Sequence, residues 1–175
     1  MIQRFSQLRA DGITTVTGLM AIAARTAPKA RGMDNLEIIV IGTEENEQLR
    51  RGMLEYSRKH NRPSFERDAR SIEQVDTIVI IGTRTGPIGL DCGACGFGTC
   101  EGLTRAGGVC AYNAMDLGIA LGSAAGIAGD CRVDTRLMYS IGKVAIALGF
   151  FEHPVGMAIG IPVSVTVKNP FFDRT

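Results

Sequence analysis

Two short runs of apolar residues interrupt the mixed polar and apolar pattern of the first half of the chain. They cover residues 36–41 and 76–81, and each run ends at a glycine, Gly42 or Gly82. Isoleucine and valine dominate both runs, which is typical of strands that are buried on both faces. The pattern therefore predicts two buried strands.

Apolar residues at spacings of three and four predict helices before and between these strands. The first helix is predicted over residues 13–27, with Asp11 as its N-cap. The second is predicted over residues 44–60, after a capping signal that begins at Thr43. A short helix or turn is expected over residues 65–75.

The next predicted helix, residues 111–129, is rich in small residues. Ala114, Gly118, Gly122 and Gly126 lie four apart, so that one face of this helix is nearly bare of side chains. Another helix or strand is expected to approach closely there.

A last helix is predicted over residues 133–148, with Gly149 as its stop, followed by a strand over residues 155–167. Pro162 lacks a backbone N–H, which predicts an edge position or a bend in that strand. Helices and strands joined by short connections predict a layered α/β or α+β fold. The length of 175 residues suits one domain, residues 1–175.

Composition argues against a nucleic-acid partner and against a membrane span. The net charge is +1 without a long run of one sign, and aromatic residues make up 6% with no tryptophan, so we expect no nucleic-acid partner. No stretch is long and apolar enough to predict a membrane span, and the first residues lack the apolar core of a signal peptide. A cytoplasmic location is the resulting expectation.

Cysteine spacing carries the strongest chemical signal. Four of the five cysteines lie within residues 91–110 in the order C-x2-C-x4-C-x9-C, among many glycines. Thiolates on a tight glycine-rich loop are typical ligands of iron–sulfur clusters, because backbone N–H groups can then approach the cluster sulfurs. We therefore predict a cluster-binding loop at residues 89–110. Its ligands would be Cys92, Cys95, Cys100 and Cys110.

Two other uses of these cysteines stay open. Zinc sites more often combine two well-separated cysteine or histidine pairs. Disulfides are disfavoured in a reducing compartment. The spacing alone does not decide between a [2Fe–2S] and a [4Fe–4S] cluster. Cys131 is expected to be a small buried apolar residue rather than a ligand.

The cysteine stretch resembles the four-cysteine [4Fe–4S] domains of corrinoid iron–sulfur proteins and of membrane electron-transport subunits. The whole chain is similar to a family of small uncharacterised prokaryotic ferredoxin-domain proteins. The residues that carry this second resemblance are 24–30, 92–110, 116–120, 132–134 and 168–174. The resemblance implies a [4Fe–4S] cluster and a redox or electron-transfer function with an unidentified redox partner.

A third resemblance is to the flavin-dependent nitroreductases. Ala27-Pro28 with Asn35 downstream resembles a turn of those enzymes, although the chain lacks their Arg-Arg-Ser pattern near the N-terminus. The resemblance implies an α+β three-layer α/β/α sandwich with the cysteine loop inserted after a central strand. It also implies a homodimer that binds FMN at the interface. The implied flavin or phosphate contacts are Arg25, Lys29, Asn35 and Arg174.

Three functions therefore remain as hypotheses: an iron–sulfur electron-transfer protein, a flavin-dependent oxidoreductase to which the cluster supplies electrons, and a non-catalytic module stabilised by zinc or by a cluster. The basic turn that contains Lys29 and Arg31 is interpreted as a solvated loop, with anion binding as the alternative.

Overall fold

The computed structural model of the chain describes residues 2–172. Its helices are α1 (Phe5–Thr26), α2 (Thr43–His60), α3 (Pro63–Ser71), α4 (Cys100–Arg105), α5 (Ala111–Asp130) and α6 (Tyr139–Ala147), with a 3₁₀ turn at Ala30–Gly32. Its strands are β1 (Leu36–Ile41), β2 (Thr77–Thr83), β3 (Asp134–Thr135) and β4 (Met157–Ser164).

The four strands form one antiparallel sheet in the order β1-β2-β4-β3. Strand β2 lies between β1 and β4, and its Ile80 pairs with Ile39 on one side and Gly160 on the other. The strand that precedes the cysteine loop is therefore an interior strand, as predicted.

Helices cover both faces of this sheet. Successive side chains of a strand point to opposite faces, so Val79 and Ile81 of β2 pack against α1 and α5, while Ile78 and Ile80 pack against α2, α3 and α6. All four side chains are fully buried. Burial on both faces explains why β2 is an unbroken apolar run, and it confirms the predicted α+β layering.

Two helix starts differ from the sequence predictions. Helix α1 begins at Phe5, so Asp11 lies inside the helix and is not its N-cap. Residues 5–8 and 10–12 are exposed and carry no apolar periodicity, which hid this part of the helix. In α2 the N-cap is Gly42, one residue before the predicted Thr43, and its N–H donates to the Glu45 carboxylate at 3.2 Å.

The first part of the helix predicted over residues 133–148 is wrong. Only Tyr139–Ala147 is helical, because Asp134–Thr135 pairs with β4 and Met138 exchanges two backbone hydrogen bonds with Gly160, at 2.8 and 3.0 Å. Strand β4 is consequently interior rather than an edge strand. In an antiparallel strand, every second residue bonds to the same neighbouring strand. Gly160 bonds to Met138 on the β3 side, so Pro162, two residues later, would also point its N–H to that side but has none. The β3 pairing is interrupted at that point, between Thr135 and Met138.

The glycine face of α5 does not pack against another element among the described residues. A Cβ added at Gly118, Gly122 or Gly126 would meet no atom within 4 Å. The prediction that another helix or strand of the same chain approaches this face closely is therefore wrong. The closest approach occurs at Gly142 of α6, which lies directly against the backbone of Ala158 in β4. Among the helices at residues 2–172, none is long and apolar enough to cross a membrane.

Candidate metal centre

The four clustered cysteines follow the central strand. After β2 ends at Thr83, residues 84–99 form an irregular segment that contains Cys92 and Cys95. Cys100 is the first residue of α4, and Cys110 is the N-cap residue of α5, with an extended backbone. The two helices therefore fix two of the thiols, while the loop carries the other two.

Two glycines permit a tight turn over residues 93–96, which contains Cys95. Gly93 and Gly96 have φ angles of 71° and 84°, in the left-handed region that side chains disfavour. The Gly96 N–H donates to the Gly93 carbonyl at 2.9 Å and closes the turn. The glycine content that the sequence shows here is thus required by the backbone.

All four cysteines line one small pocket. Its remaining walls are mainly apolar and include Ile88, Phe97 and Leu103. The thiols differ in exposure, since Cys110 is buried, Cys95 and Cys100 are half-buried and Cys92 is exposed. Every cysteine of the chain is a free thiol. The predicted ligand set is therefore brought together in space by the fold.

The thiols share this pocket without converging on one point. Within residues 2–172, no three His, Cys, Asp or Glu side chains are grouped closely enough to hold a single metal ion. A zinc ion bonded to thiolates at about 2.3 Å would need sulfur atoms within roughly 4 Å of one another. Four thiolates around a cluster bind separate irons and stand further apart than four thiolates around one zinc ion.

Helix starts and a neighbouring carboxylate position two of the predicted ligands. Cys100 and Cys110 both occupy helix starts. In addition, Asp91 accepts a hydrogen bond from the Cys100 N–H at 2.5 Å, and its own N–H faces Cys100 Sγ at 3.4 Å.

Side chains from distant segments anchor the cysteine loop. Asn113 of α5 is 1% exposed, and its Nδ2 donates to the Gly86 carbonyl at 2.7 Å. Its Oδ1 accepts from Asn35 Nδ2 at 2.9 Å. Arg31 donates to the Ile88 carbonyl at 2.9 Å and to the Gly89 carbonyl at 3.3 Å. Arg31 is exposed, as predicted for a solvated residue, but its two hydrogen bonds to the loop were not predicted.

Asp116 also belongs to this supporting structure. Its buried carboxylate accepts the Ala30 N–H, with both oxygens at 3.1 Å, and Ala30 packs beside the apolar pocket wall. A sequence signal did exist, because Asn113 and Asp116 are spaced by three in the first turns of a helix that is otherwise mostly small and apolar.

The predicted flavin contacts are only partly brought together. Arg25 and Asn35 line one surface pocket with Arg84 and His153. Arg25 also forms an ion pair with Asp34.

Lys29 lies outside that pocket. Its Nζ donates to the carbonyls of Ala24, Arg25 and Ala27 at 3.2, 2.6 and 2.7 Å and so closes the end of α1. Arg174 lies outside the described residues. The flavin roles of all four residues stay predictions.

Comparison with known proteins gives the family. Residues 106–174 match the model of a family described as "Uncharacterized protein containing a ferredoxin domain (DUF2148)". An uncharacterized protein of Archaeoglobus fulgidus is 37% identical over 183 residues, which cover 99% of this chain and 98% of that protein. The chain belongs to this ferredoxin-domain family. Of the four predicted ligands, the stretch matched by the family model contains Cys110.

Solved structures show what fold this member of the ferredoxin-domain family has. An oxidoreductase containing FMN superposes with a TM-score of 0.61 at 12% identity, over 88% of this chain and 67% of that chain. A nitroreductase with bound FMN from Desulfitobacterium hafniense gives 0.58 at 17% identity, over 91% and 82%. A BluB-like flavoprotein from Clostridium difficile gives 0.52 at 15% identity, over 88% and 82%. The fold is therefore nitroreductase-like, as the sequence predicted.

Proposed function

We propose that the protein binds a [4Fe–4S] cluster through Cys92, Cys95, Cys100 and Cys110 and acts in electron transfer. The observation that supports this proposal is one apolar pocket, which all four free thiols line after the end of the central strand β2. Membership of a ferredoxin-domain family supports it.

A cluster held by four thiolates supplies a one-electron redox centre and has no open iron for a substrate. The protein's own residues determine how that centre is presented. Cys110 is buried against Ile88 and Leu103, whereas Cys92 is exposed. A redox partner would therefore approach from the Cys92 side of the pocket.

Cysteine replacement tests the ligand assignment. Cys95→Ser should abolish the visible absorption of the anaerobically purified protein, because serine is a poor ligand for cluster iron. Cys131→Ser is the matched control, since Cys131 is the C-cap of α5 and does not line the pocket. Its thiol is exposed, so the prediction that Cys131 is buried is wrong. Normal absorption in Cys95→Ser would contradict the assignment.

A flavin-dependent oxidoreductase is the second candidate function. It is supported by the likeness of the fold to structures that contain FMN, and by the pocket that Arg25 and Asn35 share. FMN would be titrated into the protein while flavin fluorescence is followed. Saturable binding that Asn35→Ala weakens would support this function, and fluorescence that does not change on mixing would contradict it.

We further propose a homodimer formed through the outer faces of α1 and α5. Residues 12–24 of α1 carry no charge, and the only charge in residues 111–129 of α5 is the buried Asp116. The large exposed side chains there are all apolar: Leu19, Ile22, Met115 and Ile119. On α5, Met115 and Ile119 share a helix face with the open Gly118 and Gly122, so this surface offers both ridges and a groove to a second copy.

Light scattering after size-exclusion chromatography tests the homodimer. Ile119→Glu should convert the dimer to a monomer, because it would bury a charge in the interface. Leu137→Glu is the control, since Leu137 is equally exposed, at 46% against 45%, but lies near β3. A monomeric wild-type protein, or a dimer unaffected by Ile119→Glu, would contradict this surface.

A further inference from the structure

Arg31 contacts the backbone that leads into the cysteine site, although it is far from the cysteines in sequence. Its guanidinium Nη1 donates to the Ile88 carbonyl at 2.9 Å and to the Gly89 carbonyl at 3.3 Å, across 57 and 58 positions of sequence. A Cβ added at Gly89 would stand 3.3 Å from the same nitrogen. The guanidinium therefore lies directly against the backbone that leads into Cys92.

The backbone of Arg31 is unusual. Its φ angle of 58° lies in the left-handed region that few residues other than glycine, asparagine and aspartate adopt. The preceding residue, Ala30, is held by the buried Asp116 carboxylate and packs beside Ile88, Leu103 and Cys110. The turn is therefore fixed on one side by α5, and it directs the Arg31 side chain to the loop on the other side.

No carboxylate pairs with Arg31 among the described residues, because the hydrogen bonds that its side chain makes go to the two loop carbonyls. Its positive charge is therefore not offset by a salt bridge. Arg31 is itself an exposed residue. Arg105 of α4 differs from it in pairing, since its guanidinium lies 4.0 Å from Glu101.

We propose that Arg31 is a positioning residue for the cysteine loop and that its charge stabilises the reduced state of the bound cluster. This inference rests on the electron-transfer function proposed above. One-electron reduction adds one negative charge to the cluster, and a fixed positive charge near it makes that addition more favourable. The two hydrogen bonds hold the loop carbonyls and so fix the path of the chain into Cys92.

The test compares Arg31→Asn with Arg31→Lys. Asparagine tolerates the left-handed backbone but removes the charge and is too short to reach the loop. Lysine keeps the charge. The reduction potential of each anaerobically purified protein would be measured by titration with dithionite and visible spectroscopy. Arg105→Gln is the control, since it removes one positive charge from a helix beside the loop.

We expect the equilibrium constant for reduction to fall about three- to tenfold in Arg31→Asn, where tenfold corresponds to about 59 mV for one electron. Arg31→Lys should retain most of the wild-type potential, and Arg105→Gln should show no change. A potential in Arg31→Asn equal to that of Arg105→Gln would overturn the inference. So would an equal shift in Arg31→Lys and Arg31→Asn.

A second measurement covers the case in which Arg31→Asn does not retain a cluster. Hydrogen exchange of the cluster-free protein should be faster in Arg31→Asn than in the wild type at the Asp91 and Cys100 amides, which donate to Cys100 Sγ and to the Asp91 carboxylate. Exchange there should be unchanged in Arg105→Gln. Unchanged exchange in Arg31→Asn would show that Arg31 does not position the loop. A wild-type protein without iron would instead refute the proposed function, whereas a normal cluster unaffected by Arg31→Asn would refute only the role of Arg31.

Discussion

Gly142 gives the sharpest prediction about how the layers of the fold pack. A Cβ added at this residue of α6 would lie 1.8 Å from the Ala158 carbonyl oxygen and 2.6 Å from the Ile159 nitrogen, whereas real Cβ atoms essentially never approach within 3.0 Å. The obstructing atoms are backbone. Ala158 is paired with Gly82 of β2 within the sheet, so β4 cannot move away without breaking this ladder.

The Gly142→Ala replacement should therefore force α6 away from the sheet by more than 1 Å. Overpacking costs about 1–3 kcal/mol, occasionally more, and we expect the upper end because backbone meets backbone. Alanine returns about 0.5–1 kcal/mol of helix propensity. The net loss of unfolding free energy should be about 2 kcal/mol or more, which corresponds to a fall in Tm of about 4–8 °C.

Urea unfolding followed by far-ultraviolet circular dichroism measures this loss. Gly12→Ala is the matched control, because Gly12 lies inside α1 with no atom within 4 Å of an added Cβ. That variant should gain about 0.5–1 kcal/mol. A Gly142→Ala protein as stable as the wild type would refute the close contact between α6 and β4.

Three further changes have defined outcomes. Asn46→Ala should cost about 2 kcal/mol or more in urea unfolding, because the buried Asn46 amide donates to the carbonyls of Ile72 and Val75, at 3.0 and 2.6 Å, which would lose their partner. Burial raises the pKa of Glu37, but hydrogen bonds from the Glu152 and His153 backbone N–H groups and the His153 ring outweigh it and hold the pKa below its usual 4.5. The stability from Glu37 is thus full above pH 4.5 and is lost as the pH falls further, so Glu37→Gln should flatten the pH dependence of Tm in that range. Asn113→Ala should cost about 1 kcal/mol in urea unfolding, because it removes the buried amide that bonds the Gly86 carbonyl and Asn35, and an unchanged unfolding free energy would contradict the anchoring role of this amide.

The sequence predicts local features of this fold well. Strand β1 was predicted with its observed bounds, Leu36–Ile41, because a buried strand in the sheet needs a continuous apolar run and Gly42 follows it. The long helix of residues 111–129 was placed within one residue of α5. The cysteine spacing in the sequence identified all four cysteines that line the pocket, since three of them lie within one short glycine-rich segment.

Features that depend on distant partners were not predictable in the same way. The apolar pattern around residues 134–135 predicts a helix, but these residues pair with β4 instead. This pairing depends on a strand that is distant in sequence, so the local pattern does not show it. Arg31 and Asn35 have the composition of an ordinary solvated turn. Their partners, the loop carbonyls and Asn113, lie 57 and 78 positions away in sequence. The supporting residues were therefore missed, whereas the four cysteines that line the pocket were named.

Metal and sulfide analysis of the anaerobically purified wild-type protein tests the iron–sulfur proposal most directly. We predict about four iron atoms and four acid-labile sulfides per chain, with visible absorption that dithionite bleaches. Zinc bound without sulfide would contradict the electron-transfer function and would leave a non-catalytic zinc-stabilised module.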